Sequence, residues 1–495
     1  MALAVIASCI LVPLVFVSNW DVDWFFELSQ RLIEGERLYA DTIEVNLPWA
    51  IYIYLPAVFL ANLIGGSPFI WLSCGVASLV LLNLVIADRF LRDANDSGNG
   101  HRGFLLIGIV VVLVVLPGAA FGQREHLAVL LTLPYLMARL SEASRPIETE
   151  FSALAFLGLV AGVGFSLKPF FVFPWLVTQI AVTRKDWSRR NISLIFLTAL
   201  PMAAQLVAIP ILFPDLLSLY RSLGHEYGAY WRLPVHFILV YKLHILAFAL
   251  VLVAAAALVQ PRRKLLVQGL AWVSLAWFTA GIVQGKGWGY HFLPAQMTLI
   301  LSALFAVLYF DRSRRRGAAH LLLIACLCLL LAGDARIWGE MARSDYQIKR
   351  SQLPDEIVDL PSGMRAIVLS VRIRAAHPVL SKLGARNAGT FPFVWPLQVE
   401  YWQAGLPGQV VPVRHPEEMT EPESILFEAV VDDLIRKKPE VILVSEGTDE
   451  VFNDACFDEL AYFSQNEAFR AEISLYERGP AVGQVRIYVR ADLER

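Results

Sequence analysis

Asp21 and Asp23, in the stretch "NWDVDWFFELSQRLIEGERLYAD", follow directly on the first apolar run of the chain, with no basic residue beside them. A carboxylate at such a position can accept a proton from a hydroxyl nucleophile, or share a hard cation with a second carboxylate. Asp23 has a plainer use as well, because an aspartate before a helical run caps the first turn and complements its dipole. One cap takes one carboxylate, so the other needs a further explanation.

Four more stretches carry chemistry-bearing side chains. Arg124, Glu125 and His126 stand together in "FGQREHLAV" at the start of an apolar run, and Lys168 lies between two apolar runs in "GVGFSLKPFFVF". Arg221, His225, Glu226 and Arg232 alternate with Tyr220, Tyr227, Tyr230 and Trp231, and Lys286, Trp288, Tyr290 and His291 share the glycine-rich turn "QGKGWGYHFLP". Charged residues at the ends of apolar runs commonly reach out to water. Cations interleaved with aromatic rings also suit sugar stacking and phosphate pairing.

The elements that must position these residues are apolar. Over 495 residues, 57% are hydrophobic and 17% charged, with a mean hydropathy of +0.55, more apolar surface than a soluble fold can bury. The chain reads as a polytopic membrane protein, and its net charge of −2 carries no nucleic-acid footprint. Cys9, Cys74, Cys326, Cys328 and Cys456 have no paired spacing, which supports neither a disulfide framework nor a structural zinc site. Residues 2–18 lack a basic leading region and a small-residue cleavage site, so they read as a retained first helix.

Apolar runs of spanning type lie near 2–18, 69–89, 104–118, 126–140, 151–166, 170–183, 191–213, 235–259, 265–283, 291–310 and 318–333, about eleven in all. Segment 48–64 is apolar too, but carries Pro48, Pro56 and four aromatic residues. Placed in the interface, it leaves the basic loops "RLSEASRP", "TRKDWSRR", "QPRRK" and "DRSRRR" on the side of the N-terminus and the acidic segment 21–44 opposite. The positive-inside rule then makes the N-terminus cytoplasmic. Within the first outer loop, 20–68, "WFFELSQRLI" puts Phe25, Leu28 and Leu32 on one helical face and turns Glu27, Gln30 and Glu34 away, with Gly35 ending the helix.

Residues 334–495 change character. Short β-type runs at 364–371, 440–446 and 483–489 alternate with helical patterns such as 423–438, which predicts a small α/β domain beyond a membrane domain of residues 1–333. With an odd number of spans, that domain falls on the outer side. It has no Gly-rich phosphate loop and no metal motif, and reads as a docking or acceptor-recognition module.

Five outer turns thus converge on one face of a helical bundle, two bearing carboxylates and three bearing cations with aromatic residues. Their order resembles the membrane-embedded glycosyltransferases of the GT-C superfamily, in the branch of the protein mannosyltransferases and the lipid A aminoarabinose transferase. The resemblance covers roughly residues 1–310. It rests on "DVDWFFELSQRLIEGERLYAD", "EVNLPWAIYIYLPAVFLANLIGGS", "GQREHLAV", "GVGFSLKPF" and "GKGWGYHFLP". It implies that the family's first-loop acidic residue is Asp21, with Asp23 the alternative, that its second-loop acidic residue is Glu125, and that its turn lysine is Lys168. The family usually has Asp where this chain has Glu125, and often two prolines or Lys-Pro where this chain has Leu47 and Pro48.

The expectation is an inner-membrane enzyme of a bacterium that moves a sugar from a polyprenyl-phosphate-linked donor to a glycan, lipid or protein acceptor of the envelope, on the periplasmic face. Asp21 or Asp23 would be the base, with Glu125 assisting. Arg124, Lys168, Arg221, His225, Arg232, Lys286, Tyr290 and His291 would hold donor or substrate. A divalent cation (Mg or Mn) shared by Asp21 and Glu125 stays open. The rivals are a lipid-linked sugar flippase or transporter, whose ionisable residues belong near the midplane in repeated halves, and a catalytically inactive scaffold of envelope assembly.

Overall fold

Trp20 already lies in a helix. The computed structural model describes residues 19–92, 99–142, 149–183, 186–309 and, apart from a few positions near 374–382, 363–492. The expected spans at 2–18 and 318–333 lie outside those residues, except for isolated positions. In chain order the principal helices are α1 (Trp20–Ile33), α2 (Pro68–Arg92), α3 (Arg124–Glu142), α4 (Phe151–Ser166), α5 (Arg189–Leu212), α6 (Val235–Ala255), α7 (Pro261–Val283), α8 (Leu293–Leu308) and α9 (Glu421–Asp432). Contacts divide the chain into two compact units.

One unit comprises residues 1–19, 46–208 and 233–342, and is helical where described. Five helical stretches in the described part of the chain are long and apolar enough to cross a bilayer: Pro68–Arg89, Arg189–Leu212, Val235–Leu258, Arg263–Val283 and Gly289–Leu308. Arg102–Val115, Phe151–Ser166 and Pro169–Thr183 are apolar but shorter. A count of eleven spans is therefore not reached among the described residues. Segment 48–64 breaks into Pro48–Tyr52 and Leu55–Ile64, each with a proline in its first turn. At 1.5 Å per residue, neither piece exceeds about 15 Å, against about 30 Å of hydrocarbon.

Helix α3 is the centre of this unit, buried at every residue from Arg124 to Ser141. Pro134 inside it supplies no N–H, so the carbonyl of Leu130 loses its intrahelical partner. The buried Asn83 of α2 fills the gap, its Nδ2 donating to Leu130 O at 3.0 Å. An unmet carbonyl in a water-poor interior costs several kcal/mol, which accounts for an asparagine in an otherwise apolar helix. Helix α4 reaches its neighbours through small residues. A Cβ on Gly162 would lie 2.5 Å from the Thr198 carbonyl oxygen of α5. That is the close backbone approach that glycine permits between membrane helices.

The other unit comprises residues 20–45, 209–232 and 343–495. Its core is a five-stranded sheet of order β2-β1-β3-β7-β6, with β1 Arg365–Leu369, β2 Arg386–Asn387, β3 Val441–Ser445, β6 Tyr476–Val482 and β7 Val485–Arg490. Strands β1, β2 and β3 run parallel, and β7 runs antiparallel to β3 and β6. The strands expected at 364–371, 440–446 and 483–489 are β1, β3 and β7. Runs such as Ala366–Leu369 and Val441–Val444 are buried throughout, the pattern of strands covered on both faces. Thr420 caps α9 by accepting from the Glu423 N–H at 3.3 Å. A two-stranded ribbon pairs β4 (Thr448–Asp449) with β5 (Ala455–Cys456).

Candidate functional site

In the helical unit, sequence-distant polar groups meet around His291. The start of α3 presents Arg124 and Glu125. The turn after α4 presents Lys168 in extended backbone before Pro169, and the turn after α7 presents Lys286, Tyr290 and His291. Gly287 in that last turn adopts φ +68°, and a Cβ there would stand 2.8 Å from Leu233 Cδ1, so only glycine suits both the backbone and the space. All five ionisable side chains are nearly excluded from water: Arg124 is 5% exposed, Glu125 0%, Lys168 8%, Lys286 7% and His291 3%.

Their geometry is specific. Lys168 Nζ donates to Glu125 Oε1 at 2.6 Å and to Gln284 Oε1 at 2.9 Å, and lies 5.6 Å from the centre of the Tyr290 ring. His291 Nε2 stands 3.9 Å from Glu125 Oε1, beyond hydrogen-bond reach. The charges of Lys168, Arg124 and Lys286 all act on His291. Trp288 and Tyr290 pack against the imidazole at 5.2 and 4.6 Å between ring centres. Arg124 donates to Asn46 Oδ1. Glu125 Oε2 and His291 Nδ1 are buried without a hydrogen-bond partner among the described residues. Three buried cations and one carboxylate, paired with Lys168, give this cluster a positive excess, which favours an anion with oxygen acceptors.

His126, next in sequence, does something different. Its Nδ1 accepts the Gly122 N–H at 3.0 Å, which leaves Nε2 to carry the proton and donate to Leu113 O at 2.8 Å. The ring is a neutral staple between α3 and the Val111–Val115 turn.

Asp21, Asp23, Arg221, His225 and Arg232 belong to the unit that holds the sheet. Helix α1 begins at Trp20, earlier than the expected start at Trp24, so Asp21 and Asp23 both occupy its first turn. The reading of Asp23 as a cap preceding the helix is thereby corrected: one residue cannot be outside a helix and within it. Both carboxylates still complement the helix dipole. Glu27 is a second correction. It does not turn to water but is only 18% exposed, 3.9 Å from the buried Arg31. Burial pushes its carboxyl up to about 7, with Arg31 pulling the other way. Arg221, His225 and Arg232 are exposed, and His225 Nδ1 lies 3.1 Å from Glu226 Oε1.

Gln284, Asn46 and Lys242 were not read from the sequence as site residues. Lys242 had a signal, a lone lysine inside the apolar run "VHFILVYKLHILAFAL". It is 8% exposed, its Nζ 5.3 Å from the Phe292 ring next to His291. Gln284 and Asn46 had none, since their partners lie 116 and 78 residues away. Among the described residues, no three Asp, Glu, His or Cys side chains stand together as metal ligands.

No protein-family model and no curated protein matches the chain. It is similar to two solved structures of ArnT from Cupriavidus metallidurans. With the form bound to undecaprenyl phosphate the TM-score is 0.49 at 12% identity, covering 98% of this chain and 96% of that chain. With the apo form the TM-score is 0.37 at 11% identity, covering 96% and 93%. The likeness runs along nearly the whole of each chain.

Proposed function

We propose that this chain is a membrane glycosyltransferase that moves a sugar from a polyprenyl-phosphate-linked donor to an acceptor hydroxyl of the cell envelope. The observation that carries the reading is the buried cluster of Arg124, Lys168 and Lys286 around His291, with Glu125 its opposing carboxylate. A lipid phosphate entering it exchanges its hydration for charge-assisted hydrogen bonds in a site that excludes water. Tyr290 and Trp288 offer ring faces to the attached sugar. Asp21, with Asp23 as the alternative, takes the proton of the acceptor hydroxyl. The acceptor oxygen bonds to the anomeric carbon as the bond to the phosphate oxygen breaks, giving inversion and releasing polyprenyl phosphate. In this reading the N-terminus is cytoplasmic and the sheet domain periplasmic, in a bacterial inner membrane.

The test uses purified protein in lipid nanodiscs with undecaprenyl phosphate, the lipid of one of the solved structures, as probe. Lys286→Gln removes one charge-assisted bond of about 1.5–3 kcal/mol, so affinity falls about ten- to a hundredfold. In membranes supplied with the lipid-linked donor, Asp21→Asn or Asp23→Asn lowers transfer about 10²- to 10⁴-fold. Lipid binding unmoved by Lys286→Gln, or full transfer by both aspartate variants and their combination, overturns the assignment.

A further inference from the structure

Arg31 sits in the last turn of α1 at 5% exposure, although an arginine in a surface helix normally reaches water. Its guanidinium donates to the backbone carbonyls of Asn387 and Gly389, the second at 3.0 Å, and to Thr42 Oγ1. Its Nε lies 3.9 Å from Glu27 and its Nη1 3.6 Å from Glu36. The side chain therefore ties α1 both to the segment that follows it and to the loop after β2.

That loop is held from its other side as well. Asp433 Oδ1 accepts from the Thr390 hydroxyl at 2.8 Å, and Lys437 Nζ donates to Ala388 O at 2.9 Å. The Ile43 N–H reaches Thr390 O at 2.7 Å, Arg386 pairs with Glu34, and Trp24 packs edge-on against His377 at 5.9 Å. Of these contacts, the guanidinium fork alone places a buried charge against several backbone acceptors at once. A compact ammonium cannot reproduce that geometry.

We propose that Arg31 is a positioning residue, and that the sheet domain serves to hold the helix bearing Asp21 and Asp23 in one orientation through the Asn387–Gly389 carbonyls. This rests on the reading of those aspartates as the base. A base displaced by about 1 Å costs on the order of 10²-fold in rate. The guanidinium bonds to Thr42, Asn387 and Gly389, all in the unit that holds the sheet, so its loss acts on turnover and leaves lipid binding alone.

The experiment compares full-length wild type, Arg31→Lys and Arg31→Ala in nanodiscs by three measurements. These are amide hydrogen exchange of residues 21–33 against 365–369, the Kd for undecaprenyl phosphate, and transfer kcat. Arg31→Ala raises exchange in α1 about tenfold or more while β1 keeps its protection. The Kd stays constant and kcat falls about ten- to a hundredfold, with Arg31→Lys intermediate. If Arg31→Ala does not fold, Arg31→Lys makes the same comparison, because it keeps the charge and loses the fork. Unchanged exchange in α1, loosening spread equally over β1, or α1 loosened at unchanged kcat each overturns the proposal. If the wild type transfers no sugar, the glycosyltransferase reading fails and the exchange comparison alone decides the role of Arg31.

Discussion

Breaking the Lys168–Glu125 pair one partner at a time probes the central cluster most directly. The pair is 2.6 Å long, with side-chain exposures of 9% and 0%, so its charges are screened little by water. Removing one partner of a buried pair typically costs about 3–5 kcal/mol, because the other is left charged in a poor solvent. The two removals are not equivalent here. Lys168→Met leaves the fully buried Glu125 carboxylate without its 2.6 Å cation, so its cost lies near the high end, about 5 kcal/mol. Glu125→Gln leaves Lys168 its bond to Gln284 Oε1 at 2.9 Å, so its cost lies near the low end, about 3 kcal/mol. In the double variant, the loss is smaller than the sum of the singles by an interaction energy of about 1.5–3 kcal/mol. Unfolding of purified protein in detergent, followed by heat and by denaturant, measures all four corners of the cycle. Under the proposed function, undecaprenyl phosphate at a concentration 100 times its Kd stabilises Glu125→Gln by about 2.7 kcal/mol. Additive single effects, or a Lys168→Met variant more stable than Glu125→Gln, would refute the account of Lys168 and Glu125 as a coupled buried pair.

Glu27 gives a pH prediction whose sign follows from its environment. Its folded value of about 7 exceeds the usual 4.5, so its contribution is fully present below pH 4.5 and is lost as pH rises through 7. Glu27→Gln should leave stability unchanged at pH 4.5 and raise it by up to about 3 kcal/mol at pH 8, read as a flattened dependence of the unfolding midpoint on pH. At the contact of α4 with α5, Gly162→Ala forces a Cβ to 2.5 Å from the Thr198 carbonyl and should destabilise by about 1–3 kcal/mol. A loss below about 0.5 kcal/mol in the same unfolding assay would mean that the helices separate easily there.

Much was settled by residue type and spacing alone. Apolar runs announced membrane helices because bilayer thickness converts directly into a count of residues. The strands β1, β3 and β7 were legible as short β-type runs, and Pro48 and Pro56 marked the break in 48–64. The charged turns around Glu125, Lys168 and His291 stood out because ionisable residues beside apolar runs are costly and few. What only tertiary structure decided was pairing. Glu125 meets Lys168 across 43 residues, and Asn83 answers the carbonyl freed by Pro134 across 47. Arg31 bonds a loop more than 350 residues away. Local periodicity placed Glu27 on a polar face, yet it is only 18% exposed, beside the buried Arg31, since a helix face is wet or dry according to what packs on it. Sequence distance carries no record of such contacts, because the energy of a buried charge depends on the partners that folding brings within a few ångströms.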